Sequence, residues 1–179
     1  MELLLPVVFV LALVEWGASG FWWPAYFRSG LLVYRKTVLL PFHLELSAEE
    51  LTTRFEKGVL PPLLFRRISG DELAFRESYL CFRLLHYTPL MHGLIRYRHG
   101  RLEILGLANW FPLAFFTFFV ALAFGVGGFS RFRIMFLIAP VVVYALLYFV
   151  QVVRFTKVYD FLLSKGQYAG AKRDWSVGV

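Results

Sequence analysis

The chain has 179 residues, of which 59% are hydrophobic and 19% aromatic, and its mean hydropathy is +0.62. These values exceed the usual range of soluble globular domains and indicate a membrane protein. The formal net charge is +7, and the single cysteine, Cys81, excludes an internal disulfide, so nothing indicates an oxidising compartment.

Residues 1–27 are predicted to form an N-terminal transmembrane helix with an aromatic collar. An apolar run ends at Val14 and is followed by Glu15 and by the collar at 21–27. A cleaved signal peptide is the alternative, but the first residues carry the acidic Glu2 where such peptides have positive charge. Aromatic side chains are enriched where a helix leaves the bilayer. We therefore expect a retained span.

Residues 28–107 are predicted to form a small basic α+β domain. Ser47 and Glu50 have the spacing of a capping box, which predicts a short helix directly after Ser47. Apolar and charged residues alternate on both sides of a turn within 63–80 and again within 93–105. Such alternation predicts two β-hairpins and an antiparallel sheet with one wet face.

Residues 108–155 are predicted to form a transmembrane helical hairpin. Two uncharged arms, 110–126 and 134–153, are joined by a glycine-rich loop. About 20 apolar residues cross a bilayer core, a length that the second arm reaches and the first approaches. Pro140 should kink the second arm. Residues 156–179 are predicted to be a polar, basic C-terminal tail.

The predicted fold is a membrane α+β protein with three transmembrane helices, one N-terminal and two in the C-terminal hairpin. A small antiparallel β-rich cytoplasmic domain lies between the first and second. Seventeen of the nineteen Lys and Arg residues lie in the central domain and in the C-terminal part of the chain from Arg154 onward. The positive-inside rule then places the N-terminus outside, and the domain and C-terminus in the cytoplasm. This general plan is common among small bacterial membrane proteins, so we expect the bacterial inner (plasma) membrane.

Glu15 is an ionisable residue inside an apolar run, and such residues usually have a function or a partner. One interpretation is a polar intramembrane contact with a basic group of another subunit, and a second is a proton or cation relay. The third is a shorter span that leaves Glu15 near the polar boundary. A partner contact is favoured over a relay because Thr117 and Gln151 are nearly the only other polar side chains in the spans, apart from tyrosines.

Several arginines lie in or beside the predicted sheet, and they are candidate contacts for lipid headgroups: Arg66, Arg67, Arg96, Arg98 and Arg101. Against an anionic leaflet each contributes about 1 kcal/mol of attraction. The alternative is an ordinary solvated face, since acidic residues are interspersed. Membrane attachment and mixed charge both speak against nucleic acid as a partner.

The four histidines, His43, His86, His92 and His99, include no pair with the spacing of a zinc hydrolase, so no metal, cofactor or catalytic residue is predicted. The favoured function is a non-catalytic accessory or assembly subunit of a larger membrane complex, with membrane lipids and other membrane subunits as partners. The alternative is a membrane-surface module that binds anionic headgroups. A minor alternative is an integral membrane enzyme that uses His86 and His92 at the interface.

Overall fold

The structure is a computed structural model that describes residues 4–39, 46–56, 60–78, 89–98, 100–125 and 131–176. It contains both helices and strands, which follow one another along the chain as α1 (Leu4–Gly20), α2 (Pro24–Arg28), β1 (Leu31–Leu39), α3 (Ala48–Glu56), β2 (Leu63–Ser69), β3 (Glu72–Glu77), β4 (Met91–Arg98), β5 (Arg101–Ala108), α4 (Trp110–Gly125) and α5 (Arg131–Ser176). The predicted α+β class is confirmed.

The strands form one five-stranded antiparallel sheet in the order β1-β5-β4-β3-β2. Both predicted hairpins are confirmed, since β2 pairs with β3 and β4 pairs with β5. The predicted cap is also present, because Ser47 Oγ accepts a hydrogen bond from the backbone N–H of Glu50 at 3.4 Å. Local alternation and turn chemistry therefore decide most of the sheet.

One face of the sheet, here called the helix face, packs against α3 and the second half of α5. Its centre is unusually flat because Gly93 and Gly106 lie opposite each other on β4 and β5. The ring of Phe75 lies over Gly93, where an added Cβ would overlap it, and Phe155 of α5 packs against Gly106. The two glycines thus let two aromatic rings approach the strands closely.

Helix α5 continues without interruption through Pro140 to Ser176, which differs from the predicted polar tail at 156–179. At 1.5 Å per residue its 46 residues measure about 69 Å. Phe155, Val158 and Leu162 are fully buried against the sheet. Their i, i+3, i+7 spacing is that of an amphipathic helix, so burial of this stripe keeps the segment helical.

Helix α5 is also the one described helix that is long and apolar enough to cross a membrane, over Ile138–Gly166. Only 11% of its most apolar stretch is buried within the chain. Helices α1 and α4 are apolar but have 17 and 16 residues, about 25 Å each, against a hydrocarbon core of ~30 Å. Of the three predicted spans, the structure therefore supports one by length and composition.

The apolar helices leave the sheet at one end. Leu31, Met91 and Ala108 are aligned in the strand register at this end, and α4 begins two residues after Ala108. Helix α4 packs against both α1 and α5, which make at most marginal contact with each other.

The other face of the sheet is crossed by α2 and is here called the basic face. Strand alternation places six arginines on it: Arg35, Arg66, Arg76, Arg96, Arg98 and Arg101.

Candidate functional site

Glu15 lies at the beginning of α4, where the first backbone N–H groups of a helix have no partner within the helix. Its Oε2 accepts a hydrogen bond from the N–H of Phe111, and its Oε1 accepts one from the hydroxyl of Tyr26 at 2.9 Å. Only 6% of Glu15 is exposed. A carboxylate in this position is also favoured by the helix dipole. Glu15 of α1 therefore caps α4 from a neighbouring helix.

The hydroxyl of Tyr26 also lies 3.1 Å from Asn109 Oδ1, so one proton is shared between two acceptors. The same Oδ1 is 2.7 Å from Nδ1 of His92, and Nδ2 of Asn109 donates to the carbonyl of Pro89 at 2.7 Å. Glu15, Tyr26, Asn109 and His92 form what we call the Glu15 network. It links α1, α2, the beginning of α4 and the beginning of β4.

His92 is 1% exposed and lies between the rings of Tyr26 and Phe27, 4.5 and 5.2 Å away between centroids. Burial lowers the pKa of His92 from 6.5 to about 4, although Asn109 and the carbonyls of Ser29 and Tyr26 favour the protonated ring. At neutral pH the ring is uncharged, and Nδ1 carries the proton because Asn109 Oδ1 can only accept. Nε2 has no regular hydrogen bond with any described residue.

A second buried network joins α5 to the helix face, formed by Glu77, Gln151 and Arg154 and called here the Gln151 network. Gln151 Oε1 accepts the N–H groups of Leu90 at 3.0 Å and of Met91 at 3.1 Å. Its Nε2 donates to Glu77 Oε2 at 3.2 Å, and Arg154 forms an ion pair with Glu77. Gln151 and Glu77 are almost fully buried.

Both networks converge on the first residues of β4 from opposite faces of the sheet. Two tyrosines of α5 form further hydrogen bonds nearer to the apolar helices. The hydroxyl of Tyr148 donates to the carbonyl of Val33 at 3.0 Å, and the hydroxyl of Tyr144 donates to the carbonyl of Pro112 at 2.9 Å. The sheet is thus fixed to the apolar helices by directional contacts to α1, α4 and α5. Of these residues, Glu15 is the one predicted as a site from the sequence. Gln151 and Asn109 are polar residues beside apolar runs, and this position is the sequence feature that could have indicated the other contacts.

An apolar groove of about 300 Å³ opens between α1 and α4 beside Glu15. We call it the α1–α4 groove; it is lined by Ala12, Leu13, Glu15, Trp16, Pro89, Asn109, Phe111 and Pro112. Trp16 lines the groove and Trp110 is the first residue of α4, and both residues are about half exposed. Tryptophan is enriched at membrane interfaces. The level of Glu15 relative to a bilayer stays a prediction.

Glu72 of β3 is a buried carboxylate on the basic face. Arg28 and Arg96 each approach it to 2.8 Å, and Arg98 approaches it to 3.3 Å. Burial by itself raises the pKa of Glu72, but the hydrogen bonds and charges of Arg28 and Arg96 outweigh it and hold the pKa below its usual value. Glu72 is therefore ionised at neutral pH.

The five predicted lipid-contact arginines do not form one surface. Arg66, Arg96, Arg98 and Arg101 belong to the basic face. Arg67 points to the helix face, where it donates to the carbonyls of Gly70 and Leu46 at 3.1 and 2.6 Å. Lipid contact by these residues stays a prediction.

The other predicted residues carry less information. His43, His86, His99 and Cys81 lie outside the described residues. Within the described ranges, no group of three or more His, Cys, Asp or Glu side chains is placed to hold a metal ion. The enclosed ring of His92 is held in the Glu15 network and is closed to a substrate by its burial.

Replacing Glu15 with leucine should destabilise the protein by about 1–3 kcal/mol, because the N–H of Phe111 and the hydroxyl of Tyr26 lose their acceptor. Glu15→Gln keeps one carbonyl oxygen and should lose less. Thermal unfolding in one detergent, followed by circular dichroism, measures the difference. Val14→Leu is the control, since Val14 is exposed on the same helix. Equal melting temperatures for Glu15→Leu and Val14→Leu would contradict the capping role.

The stability of the protein should depend on pH through His92. Its pKa is about 4 when folded and 6.5 when unfolded, so the unfolded state binds more protons between these values. The free energy of unfolding should therefore fall as the pH is lowered from 6.5 to 4, by roughly 3 kcal/mol from this residue. The His92→Gln variant has no ring to protonate, so its free energy of unfolding should not show this decrease. Glu15 is present in both proteins, so its contribution is common to both stability curves. Parallel stability curves for the two proteins from pH 7 to pH 4 would refute the assignment.

Comparison of the chain with protein-family models, with curated proteins and with solved structures found no match, so its function is argued from the geometry above.

Proposed function

We propose that the chain is a non-catalytic accessory subunit of a membrane protein complex, which binds a partner's transmembrane helix in the α1–α4 groove. The observation that carries this proposal is the surroundings of the buried carboxyl group of Glu15. Its hydrogen-bond donors, Tyr26 and Phe111, are neutral, and no cation among the described residues pairs with it.

The shape of the groove supports a helix as its occupant. Ala12 is a small residue, and small residues let two helix backbones approach closely in a membrane. Glu15 and Asn109 supply polar groups at one end of an otherwise apolar lining. A partner helix with a Lys or Arg at this level would place a positive charge against Glu15 and apolar side chains along Leu13 and Phe111. A lipid chain would supply only the apolar half of this match.

The proposal includes a three-span arrangement in which α1 and α4 cross the bilayer together with α5. Because Glu15 caps α4, α1 extends about 7 Å beyond the beginning of α4 toward Gly20. The distance along the helix axes from Gly20, at the end of α1, to Gly125, at the end of α4, is then about 30 Å, which matches the thickness of the hydrocarbon core. Many large apolar side chains of α1 and α5 are exposed, among them Phe9, Leu146 and Phe149.

The orientation follows from charge. The sheet and the second half of α5 lie at the same end of the apolar helices, so the domain and the C-terminus share one side. These parts carry seventeen of the nineteen basic residues, which favours the cytoplasm. A reporter enzyme that works only outside the cytoplasm should be inactive at the C-terminus and active when inserted between α4 and α5. The reverse pattern would disprove this orientation.

The partner contact can be tested by filling the groove. Ala12→Phe should exclude a partner helix, whereas Val14→Phe adds a ring on the opposite side of α1, where Val14 is 57% exposed. Tagged protein isolated in mild detergent should retain a stoichiometric membrane partner as wild type and as Val14→Phe. We expect the Ala12→Phe variant to lose about nine-tenths of it, a shift of roughly 1.4 kcal/mol.

A photo-crosslinking residue at position 12 should form an adduct with a transmembrane segment of that partner, and one at position 14 should not. A wild-type protein that is monodisperse and free of stoichiometric partners, or equal recovery by the two phenylalanine variants, would refute the proposal.

A further inference from the structure

Three arginine side chains converge on one buried carboxylate on the basic face. The side chain of Glu72 is 1% exposed, while those of Arg28, Arg96 and Arg98 are 44%, 25% and 62% exposed. One carboxylate neutralises one guanidinium, so two positive charges remain uncompensated. Glu72 therefore holds three guanidinium groups together at the surface with donor groups still open to solvent.

The arrangement at the end of the β4–β5 hairpin adds a fourth arginine. Arg98 lies directly opposite Arg101 in the strand register, and like charges opposite each other destabilise a sheet. Arg101 is exposed and forms no ion pair with the described residues. An anion placed between the two side chains would remove this repulsion. Arg28, Arg96, Arg98 and Arg101 are here called the arginine cluster.

The outer part of the cluster lies above the lipid headgroups in the proposed three-span arrangement, where α4 begins about 7 Å inside the hydrocarbon core. His92 contacts Asn109, the residue just before α4, and Arg96 and Arg98 follow His92 by four and six residues on the same strand. At about 3.3 Å per residue these arginines lie roughly 13 and 20 Å farther from the membrane. The headgroup layer adds only about 5–8 Å on each side of the hydrocarbon core. Because α4 begins about 7 Å inside the core, Arg96 lies at the level of the headgroups, whereas Arg98 and its register partner Arg101 lie about 13 Å outside the core and face water.

We infer that the arginine cluster binds an acidic segment of a partner protein on the aqueous side of the membrane. The guanidinium groups lie on an open strand face, which suits an extended chain. Glu72 and Glu103 interrupt the positive charge of this face. A partner with spaced carboxylates can avoid these two acids, whereas the uniformly charged backbone of a nucleic acid is repelled by them. The inference does not depend on the α1–α4 groove.

The test uses the full chain in nanodiscs of neutral lipid and a fluorescent peptide of alternating Glu and Gly as the probe. Fluorescence anisotropy at about 50 mM salt should show saturable binding that weakens as salt is added. The double variant Arg98→Glu/Arg101→Glu should weaken binding at least about tenfold. The control is Arg54→Glu/Lys157→Glu, which changes the charge equally through exposed residues of α3 and α5 and should bind like wild type.

Three results would overturn the inference: no saturable binding of the peptide, equal loss in both double variants, or tighter binding of a single-stranded oligonucleotide of the same length. An unchanged melting temperature shows that each variant is folded. Addition of anionic lipid to the nanodiscs should leave the peptide affinity within about twofold, and competition stronger than this would assign the cluster to lipid headgroups. The Ala12→Phe variant should bind the peptide like the wild type. The recovery of a membrane partner and the binding of the peptide are therefore independent tests of the groove proposal and of this inference.

Discussion

The beginning of β4 is the part of the structure on which the rest depends. Its backbone groups lie where the sheet meets the apolar helices, and unpaired backbone groups are costly at the edge of a membrane. The side chain of Asn109 donates to the carbonyl of Pro89 from one face, and the backbone N–H of Asn109 donates to the carbonyl of Leu90. Gln151 binds the N–H groups of Leu90 and Met91 from the other. Two amide side chains thus satisfy this strand end without placing a net charge there.

These contacts fix the direction in which the sheet extends. The strands leave the apolar helices at their Met91 and Ala108 ends, and the hairpin of β4 and β5 ends at Arg98 and Arg101. Helix α5 follows the same direction, since it passes from the apolar end along the helix face. A single continuous helix therefore connects the proposed membrane region to the core of the domain. The apolar groove and the arginine cluster then lie at separate levels of one continuous structure.

The three buried carboxylates of the described chain are balanced in three different ways. Glu77 forms an ion pair with Arg154 and accepts a hydrogen bond from the side-chain amide of Gln151. Glu72 has three arginines and leaves positive charge in excess. Glu15 has only neutral hydrogen-bond partners among the described residues. Glu72 and Glu15 thus differ in their partners and in position, and each is the basis for a different proposed partner.

The sequence by itself determined the local features of this protein: the two hairpins, the cap of α3 and the apolar character of α1, α4 and α5. These features depend on residues close together in the chain, where alternation, turn residues and capping spacing act directly. The same reasoning missed the length of α5, because charged residues interleave with the stripe of Phe155, Val158 and Leu162. That stripe becomes helical core only when a sheet is present to bury it.

Only the tertiary structure decided the surroundings of the site residues. The two donors to Glu15 lie 11 and 96 residues away in the chain, and Asn109 and His92 meet only because β4 and β5 pair. Arg66 and Arg67 are neighbours in sequence, yet strand alternation sends them to opposite faces. The physical reason is common to these cases: charge balance and hydrogen bonding are set by groups that approach through space, and a single sequence does not state their distances.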